Sequence, residues 1–393
     1  MSSTSTVVSQ FTARQRMLSL VAVCSTSFGI GISFGIGFPL TSLTFELWGQ
    51  PSWMIGLAGA APPFAILLAL PLAPYLIDKL GSIRAIVVGC MIGALGFLAL
   101  GLFESPWAWL AIRVLMSGGF AIPWLAGETW INLIAREEAR GRVIAFYAIL
   151  FFSGYAVGPI LLQGLGLVWP WPFVAAALVT ALSVLPVLLG RRLAPPMAHS
   201  KTGGVISALW LSPVAMIGAF IGGFSEITIL SMIPNVALAG GWSERMALVM
   251  LTVTTVGGIL LQYPLGWLSD IVSRFAVMIS CVVIFILLAL ALPFALNNTI
   301  SGLVTAFLIG GVILGFYGVG LTIIGERVTG ADLTAANAAF IILYQCGGLV
   351  GPLFAGIAMT DHAVQGFVTI VVVTMFISGA AMVFFNRVEA RRP

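Results

Sequence analysis

The sequence predicts an all-α membrane protein with twelve transmembrane helices in two six-helix bundles. Of its 393 residues, 60% are apolar or aromatic and only 8% are charged, whereas soluble proteins carry roughly 25% charged residues. Because one transmembrane helix needs ~20 apolar residues, this composition supplies roughly a dozen of them. The mean hydropathy of +1.13 excludes a soluble enzyme, a disordered chain and a nucleic-acid-binding protein with a basic face.

Apolar segments separated by charged and turn residues are the second observation behind this prediction. Most connections between them are short, which favours antiparallel neighbours. The twelve predicted segments are 17–42, 52–77, 84–104, 106–134, 142–168, 170–190, 207–238, 243–269, 275–296, 299–326, 333–360 and 364–386.

An internal repeat is the third observation. Asp78 lies in PYLIDKLG near the end of the second segment, Asp270 lies in GWLSDIVSR near the end of the eighth, and the two are 192 residues apart. Pro159 ends the sequence Gly154-Tyr-Ala-Val-Gly158-Pro159, Pro352 ends Gly348-Leu-Val-Gly351-Pro352, and the two prolines are 193 residues apart. Two unrelated features whose copies are separated by almost the same number of residues indicate a duplicated six-helix unit, which is the parallel-repeat plan of one transporter class.

The domain limits and the topology follow from the repeat and from the basic residues. We predict bundles at 1–190 and 207–393, joined by a cytoplasmic linker at 191–206. Of the 17 basic residues, Arg113 lies within a segment and Arg245 on the opposite side. The other fifteen mark one set of segment ends, so the positive-inside rule places both termini in the cytoplasm. They are Arg14, Arg16, Lys79, Arg84, Arg136, Arg140, Arg142, Arg191, Arg192, Lys201, Arg274, Arg327, Arg387, Arg391 and Arg392.

The repeated aspartate motif resembles the loop signature G-x-L-x-D-R-x-G-R-[RK] of the major facilitator superfamily. The copy at 266–274 keeps Gly, Leu and Asp, whereas the first copy has Pro74 and Lys79 in place of Gly and Arg. The resemblance implies the major facilitator fold and a solute transporter whose helices 1, 4, 7 and 10 line a central cavity. The Gly-Pro element of the fifth segment is similar to one in drug/proton antiporters, although its following Gly pair is missing.

Three further stretches are similar to the YcaD-type group of bacterial inner-membrane permeases. They are 127–132 followed by Arg140-Gly-Arg142, then 257–266, and 325–327 leading to Gly351-Pro352. The resemblance implies a multi-pass protein of the bacterial inner membrane whose partners are protons, lipids and a small-molecule substrate. We expect a monomer without a nucleic-acid partner. The resemblance does not name the solute.

Glu226 is the strongest candidate for a functional site within the membrane. It lies about two-thirds along the seventh segment, and a charge inside hydrocarbon is costly enough to suggest a function. A carboxyl in such surroundings can exchange a proton near neutral pH. We therefore expect a proton-coupling carboxylate or one that binds a cationic substrate. The alternative is a structural acid bonded to a neighbouring helix.

A second group of charged residues is expected to gate the cytoplasmic side. Glu128 and Glu326 occupy equivalent places near the cytoplasmic ends of segments four and ten, so they could pair with loop arginines or relay protons; we favour the gate. Asp78 and Asp270 can cap neighbouring helices, whose dipoles favour negative charge, and the resemblance implies that they lock conformations. The predicted gating residues are Asp78, Arg84, Glu128, Arg140, Arg142, Asp270, Arg274, Glu326 and Arg327.

Arg113 is the one basic residue placed well inside a segment and not at its end. It could bind an anionic group or interact with a partner acid, and the alternative is snorkelling to the membrane surface. Other polar and aromatic residues could line a cavity of mixed polarity, although each could equally be a packing residue. These candidates are Trp124, Asn235, Gln262, Tyr317, Tyr344 and Gln345.

The glycines favour close helix packing, since small residues allow helix backbones to approach. Gly158-Pro159 and Gly351-Pro352 could also bend their helices, because proline removes a backbone hydrogen bond. No phosphate-binding Gly-rich loop occurs, which disfavours an ATP-driven pump. The four cysteines have no metal-ligand spacing, and we expect neither a metal nor a cofactor.

We therefore predict a secondary active transporter that works by alternating access and is driven by the proton gradient. The antiporter-like element favours export of a small, partly apolar organic compound over proton-coupled uptake of a metabolite. An intramembrane enzyme is disfavoured because both histidines, His199 and His362, lie in loops. A receptor that does not transport is the remaining alternative.

Overall fold

The computed structural model describes residues 11–135, 140–195, 205–328 and 331–389. Twelve of its helices are long and apolar enough to cross a membrane, which confirms the predicted fold class. We number them in chain order as α1 (Ala13–Leu47), α2 (Ser52–Ala69), α3 (Ser82–Leu102), α4 (Pro106–Ile134), α5 (Arg140–Leu165), α6 (Trp171–Leu182), α7 (Pro213–Ala239), α8 (Glu244–Ile271), α9 (Arg274–Ala295), α10 (Thr299–Arg327), α11 (Ala331–Ala358) and α12 (Ala363–Glu389). The sixth span is Trp171–Leu189, of which α6 is the first part.

Two of the predicted segments are interrupted in the structure. The segment predicted at 52–77 ends as α2 at Ala69, and a separate short helix, Ala73–Leu80, follows a turn. The segment predicted at 170–190 divides into α6 and one further turn, Leu185–Leu189. Prolines in these stretches lack the N–H that continues a helix, but the apolar run is unbroken there, so hydropathy alone does not reveal the interruption.

The repeat found in the sequence extends to the turns. Gly49 joins α1 to α2 with φ +63°, and Gly241 joins α7 to α8 with φ +85°. These positions differ by 192 residues, the offset of the two aspartates. Residues with a Cβ rarely adopt this left-handed conformation, so both copies of the repeat use glycine to close the same turn.

The chain divides into two compact units. The first contains Met1–Leu40 and Ala65–Ser200, and the second contains Thr41–Phe64 and Lys201–Pro393. Residues 41–64, which form a helical hairpin, therefore group with the C-terminal half. The predicted division at 1–190 and 207–393 assigns them to the N-terminal bundle instead. The domain limits inferred from the sequence repeat thus remain a prediction. Residues 196–204 of the predicted linker lie outside the described residues.

In the first unit, α1 and α5 cross with their backbones in contact. A Cβ atom added to Gly31 would overlap the carbonyl oxygen of Phe151, and one added to Gly154 would overlap the carbonyl oxygen of Phe28. Only glycine permits so close an approach. The crossing is therefore held by backbone packing and not by interdigitated side chains.

In the second unit, α7 and α11 repeat this crossing. A Cβ atom on Gly223 would overlap the carbonyl oxygen of Tyr344, and one on Gly347 would overlap that of Phe220. Both contacts are equivalent to those between α1 and α5 at the offset of the repeat. The position of Tyr344 is thus fixed by its own backbone against α7.

Candidate functional site

Glu226 lies at the middle of α7. It is the fourteenth of the 27 residues of this helix, because α7 begins at Pro213 and not at the predicted residue 207. Its neighbours Ser225 and Thr228 are buried, and both hydroxyls donate to carbonyls of the preceding turn of α7. These hydroxyls are satisfied within their own helix, whereas the Glu226 carboxylate bonds to a side chain of another helix.

That side chain is Tyr344 of α11. Its hydroxyl donates a hydrogen bond to Oε2 of Glu226, and its ring is buried. Gly223 lies one helical turn from Glu226 and contacts the backbone of Tyr344. The crossing of α7 and α11 therefore sets the distance between the carboxylate and the phenol.

Two further rings extend this contact and form what we call the aromatic cluster: Tyr317, Phe340 and Tyr344. The ring centroids of Tyr317 and Tyr344 are 5.2 Å apart with planes at 80°, and those of Tyr317 and Phe340 are 5.4 Å apart at 75°. Such edge-to-face pairs are favourable. The structure thus brings together three predicted residues, Glu226, Tyr317 and Tyr344, and adds Phe340, which the sequence analysis missed although it lies one turn before Tyr344.

A second carboxylate occupies the first unit. Glu128 of α4 accepts a hydrogen bond from Trp124, one turn earlier on the same helix, and Tyr147 of α5 is an electrostatic neighbour. Tyr147 is buried, and its hydroxyl lies close to Gly127, since a Cβ atom added to Gly127 would be 2.7 Å from it. Each unit therefore holds one carboxylate beside one tyrosine, and the sequence analysis missed Tyr147.

Asn235 contacts the hairpin of residues 41–64 within the second unit. Its Nδ2 donates to Oε2 of Glu46 at 2.9 Å and to the carbonyl oxygen of Ser42 at 3.3 Å, and the side chain is 4% exposed. Glycine contacts anchor the same hairpin, since a Cβ on Gly56 would overlap the carbonyl oxygen of Pro352. The predicted cavity residue Asn235 therefore binds the tip of α1 to α7.

Replacing Asn235 by aspartate should release this hairpin. The Asn235→Asp variant removes the donor and places a second carboxylate at the 2.9 Å position facing Glu46, so we expect about 3 kcal/mol of destabilisation, as for an uncompensated buried charge. Thermal unfolding of the purified protein measures it. The double variant Asn235→Asp with Glu46→Gln should recover most of the loss, and a loss unchanged by the second substitution would contradict this contact.

Arg113 is buried in the first unit. Its side chain is 3% exposed, its Nη1 donates to the carbonyl oxygen of Gly37 at 2.9 Å, and its guanidinium lies 5.4 Å from the ring centroid of Phe38. Both partners belong to α1. This geometry differs from the snorkelling alternative and makes Arg113 a link between α4 and α1.

The predicted gating residues occupy several places. Arg274 at the start of α9 pairs with Glu326 near the end of α10 at 2.8 Å and donates to the carbonyl oxygen of Thr322 at 2.9 Å. Asp78, Arg84, Arg142 and Asp270 are exposed, and α9 is capped by Ser273. Arg136 and the side chains of Arg140 and Arg327 lie outside the described residues, so the pairing of Glu128 with loop arginines remains a prediction.

The Arg274–Glu326 pair should contribute little stability. Its side chains are 24% and 57% exposed, and exposed ion pairs are worth about 0–1 kcal/mol because water and salt screen them. We therefore expect Glu326→Gln to change the free energy of unfolding by less than about 1 kcal/mol, measured by denaturant titration. A larger loss would show that the pair has a structural role beyond joining α9 to α10.

The remaining candidates lie elsewhere. Gln345 is buried beside Tyr344 on α11, and Gln262 is half-buried on α8. Pro159 and Pro352 lie inside continuous helices, and their preceding glycines, Gly158 and Gly351, pack against the backbones of α1 and α7. Packing by these glycines is thus observed, whereas bending at the two prolines remains a prediction.

Known proteins agree with this architecture. The family model described as Major Facilitator Superfamily matches residues 23–234 and 215–393. An uncharacterized MFS-type transporter YcaD from Escherichia fergusonii is 27% identical over 319 residues, which cover 80% of this chain and 81% of that protein. An uncharacterized MFS-type transporter YfkF from Bacillus subtilis is 27% identical over 354 residues, with 88% of each chain covered.

Solved structures show the same fold. A point mutant of the nucleoside transporter NupG superimposes with a TM-score of 0.77 at 14% identity, covering 93% of this chain and 99% of that one. A bacterial homologue of the human lysosomal transporter Spinster gives a TM-score of 0.70 at 15% identity, covering 95% and 96%. Twelve apolar helices, a six-plus-six repeat and a family match over most of the chain lead to one assignment: the chain belongs to the Major Facilitator Superfamily and resembles its YcaD-type transporters.

Proposed function

We propose that this protein is a proton-coupled secondary active transporter that exports a small, partly apolar organic solute across the bacterial inner membrane. The single observation that supports it most is the Glu226–Tyr344 pair at the crossing of α7 and α11. An ionisable group at the middle of an apolar helix is costly. Proton loading and release at that depth would account for its presence.

The geometry suits a group that alternates between two protonation states. Apolar surroundings penalise the ionised carboxylate, and the hydrogen bond donated by Tyr344 offsets part of that penalty because bonds to charged acceptors are strong. When Glu226 is protonated, the phenol can instead serve as an acceptor for its proton. Tyr344 therefore supports both states without moving far.

The predicted gating residues would control access to this site. In alternating access the two bundles rock around a central site, and the cytoplasmic end must open and close once per cycle. We assign this part to Glu128 and to the exposed charges at the helix ends, among them Asp78 and Asp270. Charge reversal at Glu128 is expected to favour the inward-open state, because it would remove the attraction that closes the cytoplasmic side.

Proton movement in liposomes tests the proposed function. The purified full chain would be reconstituted with a trapped pH dye and exposed to a panel of cationic, neutral and anionic solutes, each first screened for binding by thermal shift. We expect at least one binding solute to drive proton movement opposite to its own, as antiport requires. Movement in the same direction would replace export by proton-coupled uptake, and binding without any proton movement would refute the proposal.

A further inference from the structure

The helices of the second unit carry no basic residue at the depth of Glu226. The sequence contains no Lys or Arg between Lys201 and Arg245, between Arg274 and Arg327, or between Arg327 and Arg387. The middles of the four helices α7, α10, α11 and α12 therefore supply no basic residue, and both histidines are outside these spans. Among the described residues of the second unit, an ionised Glu226 has a hydrogen-bond donor in Tyr344, and the middle turns of these four helices carry no basic residue to balance its charge.

An unbalanced carboxylate at this depth needs a positive partner from outside the unit. Buried charges in proteins are paired or neutralised, because an isolated one costs far more than a hydrogen bond returns. A proton is one such partner and a cationic solute is another. Both would occupy the same carboxylate, so each would displace the other.

The aromatic residues next to Glu226 indicate the chemistry of the rest of such a solute. Tyr344 contacts Glu226 directly, and Tyr317 extends the aromatic surface through a ring contact of 5.2 Å. Phe340 is fully buried and supports the ring of Tyr317 at 5.4 Å. Ring faces attract cations, and their area favours an apolar body. Tyr317 is half-buried, so its ring is not fully enclosed by the protein.

A further carboxylate, that of Glu46 at the end of α1, is held beside α7. Asn235, nine residues after Glu226 and therefore about 14 Å along α7, holds the carboxylate of Glu46 by hydrogen bonding, and Glu46 is exposed. Negative charges raise the local concentration of cations. Glu46 and Glu226 thus both favour a cation over an anion.

We propose that the substrate is a monovalent organic cation with an apolar or aromatic body, bound with its charge at Glu226 and its body against the rings of Tyr317 and Tyr344, in exchange for the proton. This inference rests on the proposed function and adds the substrate class to it. No covalent bond forms or breaks. One proton leaves the carboxyl as the cation arrives and returns when the cation leaves.

Other titratable groups lie on the elements packed against α7. Tyr344 is the neighbour of Glu226, and Tyr317 is the next electrostatic neighbour of Tyr344. The remaining charged or titratable residues on helices α8, α10, α11 and α12 and on the 41–64 hairpin are Glu46, Glu244, Arg245, Tyr263, Asp270, Glu326, Arg327, Asp332, Cys346, Arg387 and Glu389.

Pairs of probes that differ in charge but not in shape test the inference. Benzyltrimethylammonium has the neutral isostere neopentylbenzene, and tetraphenylphosphonium has the anionic isostere tetraphenylborate. Binding of each to the purified full chain would be measured by calorimetry at pH 6 and pH 8. We expect at least one cation to bind at least about tenfold tighter than its isostere, as expected for a charge-assisted contact, and to bind more tightly at pH 8, where fewer protons compete.

Two substitutions locate the binding. Glu226→Gln should abolish the preference for the cation, whereas Glu244→Gln, a matched change of an exposed carboxylate at the start of α8, should keep it. Tyr317→Leu should weaken cation binding by about 3- to 30-fold, the range of a cation–π contact, and Tyr317→Phe, which keeps the ring, by less than about threefold. The pH profile of the wild-type protein supplies a test that needs no variant to fold.

The outcomes separate this inference from the proposed function. No preference for either cation, or a preference that survives Glu226→Gln, would overturn the cation site even if proton-driven transport depends on Glu226. A cation preference that depends on Glu226 but is the same at pH 6 and pH 8 would keep the cation site and refute the exchange with a proton.

Discussion

The Glu226→Gln variant should lose transport driven by a pH gradient. Glutamine preserves the size and the hydrogen bond to Tyr344 but cannot take up or release a proton. We expect flux of benzyltrimethylammonium driven by the gradient to fall to the level of protein-free liposomes, a loss of at least about 100-fold, since coupling requires the carboxyl and not merely its shape.

The Tyr344→Phe variant is the matched control for this result. It keeps the ring and its contact with Tyr317 but removes the donor to Glu226. Because a hydrogen bond to a charged group is worth about 1.5–3 kcal/mol, we expect the pH dependence of transport to shift while coupling survives. Full gradient-driven flux in Glu226→Gln would refute the coupling role. Loss of flux in both variants alike would assign the pair a structural role instead.

The Gly223→Ala variant should cause the largest loss of stability. Its Cβ would overlap the carbonyl oxygen of Tyr344, and the helix backbone cannot yield as a flexible side chain can. Overpacking costs typically about 1–3 kcal/mol and occasionally more, and we expect this backbone overlap to exceed about 3 kcal/mol. The fraction of monodisperse protein in detergent and its unfolding temperature measure the effect. Gly347→Ala, which places a Cβ atom on α11 against the backbone of α7, should cause a similar loss of stability.

Gly318→Ala is the matched control on α10, where a Cβ would meet no atom within 4 Å. Alanine is favoured over glycine in a helix by about 1 kcal/mol, so this variant should be as stable as the wild type or slightly more stable. Equal stability of the Gly223→Ala and Gly318→Ala variants would contradict the backbone contact between α7 and α11.

The repeat is the part of the fold that the sequence predicts best. Asp78 and Asp270 reveal its offset, and the structure shows the same offset in the turns at Gly49 and Gly241. Tight turns and close helix crossings each require glycine at one particular residue, so glycines recur at equivalent positions in the sequences of both copies. Breaks inside apolar segments leave a weaker signal, which is why the interruption after Ala69 was not predicted.

The candidate site was predicted in part. Glu226 stands out because a charge in an apolar segment is conspicuous, and Tyr344 was named as one aromatic among several. Their pairing depends on the crossing of α7 and α11, which joins residues 118 positions apart and which hydropathy does not encode. The contact of Asn235 with Glu46 spans 189 positions and was missed for the same reason, since Glu46 lies at the end of a helix where a charge is unremarkable.

The number of protons released when the cation binds tests the central claim most directly. Calorimetry of benzyltrimethylammonium binding at fixed pH, in two buffers with different ionisation enthalpies, measures this number through linkage. At a pH where Glu226 is protonated in the free protein, the account predicts about one proton released per cation bound by the wild type and none by Glu226→Gln. Equal release by both proteins, or none by the wild type across the pH range, would contradict it.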